Sequence, residues 1–161
     1  MSPTATISPA LTPTATLPLT AAPALTSRIL INAPVHVVRR ILLDPSAIPE
    51  WNPAFRAITA PATATANLPY PIETRDGLLG HYEFRSIIGT RIEAQWDVPG
   101  FTEHQLWELS PYNYGTHVRH TVEHRGNLTS LLRPAFASAA SLRLNRLAQR
   151  AENRASTTRT L

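Results

Sequence analysis

Apolar and polar residues alternate through the middle of the chain, and past Leu128 the apolar residues recur at helical spacing instead. Leu78 to Ser86 places Tyr82, Phe84 and Ser86 on one face and His81, Glu83 and Arg85 on the other. Thr90 to Asp97 does the same, with Ile92, Ala94 and Trp96 opposed to Arg91, Glu93, Gln95 and Asp97. Glu103 to Leu109 and Thr116 to Arg125 continue the pattern. A period of two is the mark of strands buried on one face, as in an antiparallel sheet. Asp76-Gly77, Gly89, Pro99-Gly100, Ser110 to Gly115 and Gly126-Asn127 are the expected turns.

The last hairpin predicts a register. A turn over Ser110 to Gly115 sets Leu109 opposite Thr116, Trp107 opposite Val118 and Gln105 opposite His120. Gln105, Trp107 and Leu109 then face inward with Val118, His120 and Val122, and His124 shares that face. A slip of one residue would expose Trp107, which is costly for so large an apolar group.

Upstream, Ile29 to Ile31 reads as a short strand. Asn32 is a candidate helix cap, and Pro34 suits a first turn, where its missing N–H costs nothing. Val37, Val38, Ile41 and Leu42 form one helical stripe, and Asp44-Pro45 stops it. Ser46 can cap a second short helix ending near Trp51. Phe55 to Thr65 and Ile72 to Arg75 read as further strands, the first broken or at an edge because of Pro61. At the other end, Phe136, Ala140, Leu144, Leu147 and Ala151 make one long apolar stripe, with Pro134 near the helix start or a kink. Arg143, Arg146, Arg150 and Arg154 read as the solvated face of that helix.

These elements predict an α+β fold: a curved antiparallel β-sheet wrapped around a long C-terminal α-helix, with two short helices after the first strand. The helix, at about 30 Å, is the one element long enough to cover the sheet's apolar face. Where helix and sheet part, an apolar pocket is expected.

Composition narrows the chemistry. The chain has 161 residues, enough for one domain with a real core. It has no cysteine, which removes disulfides, thiol nucleophiles and thiolate metal sites. All fifteen basic residues are arginine, so Schiff-base chemistry on lysine is excluded. The formal charge of +4 is mild, and the arginines of the last helix are spread rather than clustered, so no nucleic-acid partner is expected. Residues 1–27 carry no charged side chain and hold five prolines, which predicts an extended or disordered tail. That tail has neither the basic start of a secretory signal nor the arginines of a presequence, and no run of apolar residues is long enough to span a membrane, so a cytoplasmic location is expected. Residues 155–161 should fray, leaving residues 28–154 as the domain.

The stretch from Ile31 to Pro53, INAPVHVVRRILLDPSAIPEWNP, resembles the opening of the START-like (SRPBCC, polyketide cyclase/dehydrase-like) superfamily. The matching residues are Ala33-Pro34, Val37-Val38, Leu42-Leu43-Asp44 and Pro49-Glu50-Trp51-Asn52-Pro53. The resemblance continues through Gly115 to Phe136 into the last helix. It implies the helix-grip fold, a hydrophobic small-molecule ligand and a monomer or homodimer. It also suggests that Trp51 anchors the second helix.

The candidate chemistry is sparse. His120-Thr-Val-Glu-His124 has the residues of a zinc motif in the wrong order, and on a strand its histidines lie about 13 Å apart, so no metal is expected. No nucleophile elbow or glycine-rich phosphate loop is present, and no cofactor is required. The polar groups expected on the inner face are His120, Gln105, Tyr82 and Ser86, with His124 near the mouth. Phe84, Trp96, Trp107, Val118, Val122, Phe136 and Ala140 complete the expected ligand-binding wall. Two readings stand. In the first, which resembles a polyketide cyclase or dehydratase, the pocket folds a polyketide- or lipid-like ligand, His120 shuttles a proton, and Tyr82 and Gln105 donate hydrogen bonds. In the second the pocket belongs to a carrier or sensor of a lipid, isoprenoid or similar metabolite, and no reaction occurs.

Overall fold

The alternating stretches form one seven-stranded antiparallel sheet in the order β1-β7-β6-β5-β4-β3-β2. The structure is a computed structural model describing residues 23–159, without the side chains of residues 131–137, 158 and 159. The expected tail therefore lies outside the described residues as far as residue 22. The strands are β1 (Leu25–Ile31), β2 (Phe55–Ile58), β3 (Pro69–Thr74), β4 (Leu79–Ile88), β5 (Arg91–Val98), β6 (Phe101–Tyr112) and β7 (Gly115–Arg125). The helices are α1 (Val35–Leu42), α2 (Ile48–Trp51) and α3 (Thr129–Arg159), with a 3₁₀ turn at Pro45–Ala47. This is the expected helix-grip arrangement, a curved sheet against a long C-terminal helix.

Sequence and structure differ at several element ends. β1 starts at Leu25 because Leu25, Thr26 and Ser27 pair with Val122, Thr121 and His120 of β7. α3 runs to Arg159 rather than fraying at residue 155, with Ala151 and Ala155 buried near its end. β2 stops at Ile58, short of the expected Thr65, and β3 already starts at Pro69. Asn32 does not cap α1; its backbone N–H instead donates to Glu152 on α3 at 3.0 Å. The cap of the 3₁₀ turn is Asp44, whose carboxylate accepts from the Ala47 N–H, while Ser46 donates to that carboxylate at 2.6 Å.

The β6–β7 hairpin corrects the expected register. Tyr112 pairs with Gly115, so the turn is only Asn113 and Tyr114, and Asn113 takes a φ of +50°, which asparagine tolerates better than most residues. Pro111 remains in the strand opposite Thr116. The shorter turn slides the strands so that Leu109 faces Val118, Trp107 faces His120 and Gln105 faces Val122. The slide is an even number of residues, so every side chain keeps its face.

A β-bulge corrects the expected inner face of β4. The pairing jumps between Phe84 and Ser86, which places Ser86 opposite Glu93 and Ile87 opposite Ile92. Beyond the bulge Ile87 takes the inward position and packs on the core, while Ser86 turns to the outer face with Glu93.

The core lies between the inner sheet face and one side of α3. Ala140, Leu144, Leu147, Ala148, Ala151 and Ala155 are buried, which reproduces the expected stripe from Ala140 onward. Phe136, its first member, lies outside the described side chains. Trp51 is buried and meets Trp107 edge to face at 5.7 Å, so α2 closes one end of the sheet. Phe55, Tyr82, Phe84 and Trp96 continue the aromatic layer through edge contacts of 5.2 to 5.9 Å.

Candidate functional site

The inner face of β6 presents Phe101, Glu103, Gln105, Trp107 and Leu109, all buried. A carboxylate in that row is expensive unless it is paired and hydrogen-bonded. Glu103 is both. One of its oxygens accepts from Trp96 Nε1 on β5 at 2.9 Å, from Gln105 Nε2 at 2.6 Å and from Arg143 Nη1 on α3 at 3.0 Å. Its second oxygen meets His124 Nε2 of β7 at 2.8 Å. Gln105 extends the chain: its amide oxygen accepts from Trp107 Nε1 at 3.2 Å and from the Tyr82 hydroxyl at 3.4 Å.

Arg143 is 3 % exposed, which overturns the solvated-face reading of this residue. It lies three residues after Ala140 and four before Leu147, inside the apolar stripe, and it answers the charge that β6 buries. Burial by itself would push the Glu103 carboxyl up. The Arg143 charge and the hydrogen bonds with His124 and Trp96 outweigh that and hold it well below the usual carboxylate range. Burial pushes the Tyr82 hydroxyl above its ordinary range, so it serves as a neutral donor.

His120 stands beside this network without joining it. Its ring stacks on Trp107 with centroids 3.6 Å apart and planes 17° from parallel. Neither ring nitrogen has a hydrogen-bond partner among the described residues. Burial, reinforced by the nearby Arg143 charge, holds the imidazole well below its ordinary value, so it is neutral.

A cavity of about 180 Å³ opens above the Arg143 end of the network. Its walls are Pro53 and Ala54 before β2, Thr74, Asp76 and Leu78 at the β3–β4 turn, Trp96, Val98 and Phe101 of the β5–β6 hairpin, and Ala139 and Arg143 of α3. Local hydrogen bonds fix its rim. Arg75 donates its backbone N–H to the Ala54 carbonyl at 3.0 Å and Nε to the Pro53 carbonyl at 2.9 Å. Leu78 N–H donates to the Thr74 hydroxyl at 3.0 Å. Trp96 and Phe101 form one aromatic wall, with ring centroids 5.0 Å apart.

Of the expected site residues, Trp96 lines this cavity. Tyr82, Gln105, Trp107 and His124 belong to the buried network behind it. Phe84, Val118, Val122 and Ala140 are buried on the inner face. His120 is not on the cavity wall, and Ser86 is on the outer face. Sequence reading missed Glu103 and Arg143. Both signals were present: Glu103 continues the period-two row of Gln105 and Trp107, and Arg143 falls within the helical stripe. Among the described residues no group of three or more histidine, aspartate or glutamate side chains is placed to hold a metal ion.

Solved structures share this fold over most of the chain. A START superfamily protein from Mycobacterium smegmatis superposes with a TM-score of 0.64 at 16% identity, covering 84% of this chain and 98% of that one. The chain has a START-like fold. The di-domain ARO/CYC StfQ from the steffimycin biosynthetic pathway matches with a TM-score of 0.64 at 14% identity over 83% of this chain and 51% of its own. Truncated norcoclaurine synthase from Thalictrum flavum matches at 0.62 and 7% identity over 83% and 96%. At these identities the START-like likeness is one of fold. No protein-family profile matches the sequence, and no curated protein does. Among the described residues no helix is long and apolar enough to cross a membrane.

Proposed function

We propose that the protein binds a small, mostly apolar molecule in the cavity between α3 and the β5–β6 hairpin, as a carrier or sensor rather than a catalyst. The observation that carries this reading is the cavity itself, walled by Pro53, Ala54, Leu78, Trp96, Val98, Phe101 and Ala139 with two buried polar residues, Thr74 and Arg143. Such a wall suits an apolar body and one oriented polar atom. Its volume limits the occupant. A cavity near 150 Å³ takes benzene, so about 180 Å³ suits a compound built on a single ring.

Cyclisation or dehydration would need a proton-transfer group on the wall. The ionisable side chains lining it are Asp76, exposed at the rim, and Arg143, a residue type that holds its proton. His120, the expected shuttle, is neutral and stacked on Trp107 away from the wall. These features support binding without chemistry.

The test is binding of single-ring apolar compounds, measured by titration calorimetry and native mass spectrometry on the wild type and on Ala139→Leu. The added side chain projects into the cavity beside Arg143, one helical turn further on. Expected are stoichiometric binding to the wild type, recovery of the compound unchanged, and loss of binding in the folded variant. Equal binding by both proteins, or none by the wild type at millimolar concentration, overturns the proposal.

A further inference from the structure

Arg146, Arg150 and Arg154 follow one another at intervals of four residues, so on α3 they stand in one row. Gln149, Asn153 and Thr157 fall on the same side of the helix. From Arg146 to Arg154 the row spans about 12 Å of helix. It forms one wall of two surface grooves, of about 400 and 410 Å³, which meet at Asn153 and Arg154. Glu50 of α2 lines the first groove, and Val37 and Arg40 of α1 line the second. Folding thus gathers four arginines that are spread along the sequence, the fourth from a different helix.

The charge along this groove is unbalanced. Among the described residues its one lining carboxylate is Glu50, which is paired with Arg150. Asp44 acts on Arg150 from outside the groove, and its carboxylate already accepts from Ser46 and the Ala47 N–H. Four arginines against these two acids leave two positive charges unanswered, half of the formal +4 of the whole chain. Arg40 and Arg146 make no hydrogen bond or ion pair among the described residues. The crowding registers at Arg150, where burial and then the neighbouring Arg154 charge lower the guanidinium pKa. Like charges four residues apart on a helix repel, and an anion in the groove relieves that repulsion.

Shape and composition decide which anion fits. Guanidinium groups grip phosphate through paired N–H donors, and Gln149, Asn153 and Thr157 add uncharged donors. A single carboxylate would occupy one arginine and leave the others unmatched. No aromatic side chain lines either groove, so nothing there stacks a base. A row of about 12 Å set between three helices suits a compact anion better than the long phosphate surface of a duplex or a bilayer.

We infer that this groove binds a small soluble molecule carrying several phosphate groups, held by Arg146 and Arg150 at one end and by Arg40 and Arg154 at the other. The site is separate from the apolar cavity at Ala139 and Arg143 and does not depend on what that cavity holds.

The test is titration calorimetry at neutral pH and low salt with myo-inositol hexakisphosphate, and with inorganic phosphate for comparison. One hexakisphosphate should bind per chain, more weakly as salt rises. Inorganic phosphate should bind at least about tenfold more weakly, because one group reaches fewer arginines. Arg40→Gln and Arg146→Gln, on different helices, should each weaken hexakisphosphate binding by about tenfold or more, the effect of one charged hydrogen-bonding group. Arg28→Gln and Arg119→Gln, which change the paired exposed arginines of β1 and β7, should leave it unchanged, and so should Ala139→Leu.

Absence of hexakisphosphate binding overturns the inference, as does inorganic phosphate binding equally well. Equal losses in the Arg28 and Arg119 variants would mark a general attraction to positive charge and also overturn it. Tighter binding of a DNA duplex or of phosphatidylserine vesicles, lost in the same groove variants, overturns it in favour of a macromolecular partner. A loss in Ala139→Leu places the anion at the cavity and overturns it too.

Discussion

Replacing Glu103 with glutamine should cost a large share of the protein's stability. The substitution keeps the shape of the side chain and removes its charge. The new amide oxygen can still accept from Trp96 and Gln105, but Arg143 is then left charged, 3% exposed and without a counter-ion. Breaking a buried pair from one side costs about 3–5 kcal/mol. For a chain of this length that corresponds to a fall in Tm of about 6–20 °C. Urea denaturation at neutral pH is the assay: the midpoint should fall with an unchanged slope. A double-mutant cycle separates the pair from the packing around it. Glu103→Leu/Arg143→Met, which removes both charges together, should be less destabilised than the sum of its single variants.

The pH dependence carries its own sign. The folded Glu103 pKa is held below the unfolded value, which is about 4.3. Its contribution is therefore fully present above about pH 4.3 and is lost as pH falls toward the folded pKa. The gap between wild type and Glu103→Gln should narrow below that pH. A loss under about 1 kcal/mol for Glu103→Gln, or strictly additive single variants, would refute the account of Glu103 as the electrostatic centre of the core.

The other predictions are simpler. His120→Leu removes two unpartnered ring nitrogens while keeping an apolar group against Trp107, and should raise stability by about 1 kcal/mol at neutral pH. Because the folded His120 pKa is lowered, the wild type should lose stability as pH falls below about 6.5, and the leucine variant should lose less; a destabilised variant in urea melts would show that the imidazole is bonded. Gly80→Ala should destabilise by more than about 2 kcal/mol, since a Cβ there collides with the Asp97 carbonyl of the neighbouring strand; a near-wild-type melting curve would contradict that close approach. Ala139→Leu should keep or raise Tm while abolishing binding of single-ring compounds, and a large loss of Tm would show that the cavity is smaller than the structure gives.

How much of this was legible in the sequence varies by residue. Period two placed Tyr82, Phe84, Ile92, Ala94, Trp96, Gln105, Trp107, Val118, His120 and Val122 on the inner face, and all are buried. Alternation reports face directly, because successive side chains of a strand point opposite ways. It does not report which residues sit across from one another. The two-residue turn at Asn113 and Tyr114 set the pairing of Trp107 with His120, and the bulge after Phe84 sent Ser86 outward. Both depend on backbone geometry that residue types leave open.

The sequence by itself determined the elements, their faces, and the need for a long helix to cover the sheet, since burial of apolar residues at period two or at helical spacing admits few other solutions. Only the tertiary structure decided the site. Glu103 and Arg143 are separated by 40 residues, and charged residues ordinarily face solvent. Each is tolerable inside only because the other is there. That compensation is a property of the packed pair, not of either local stretch, and it sets Arg143 at the wall of the cavity.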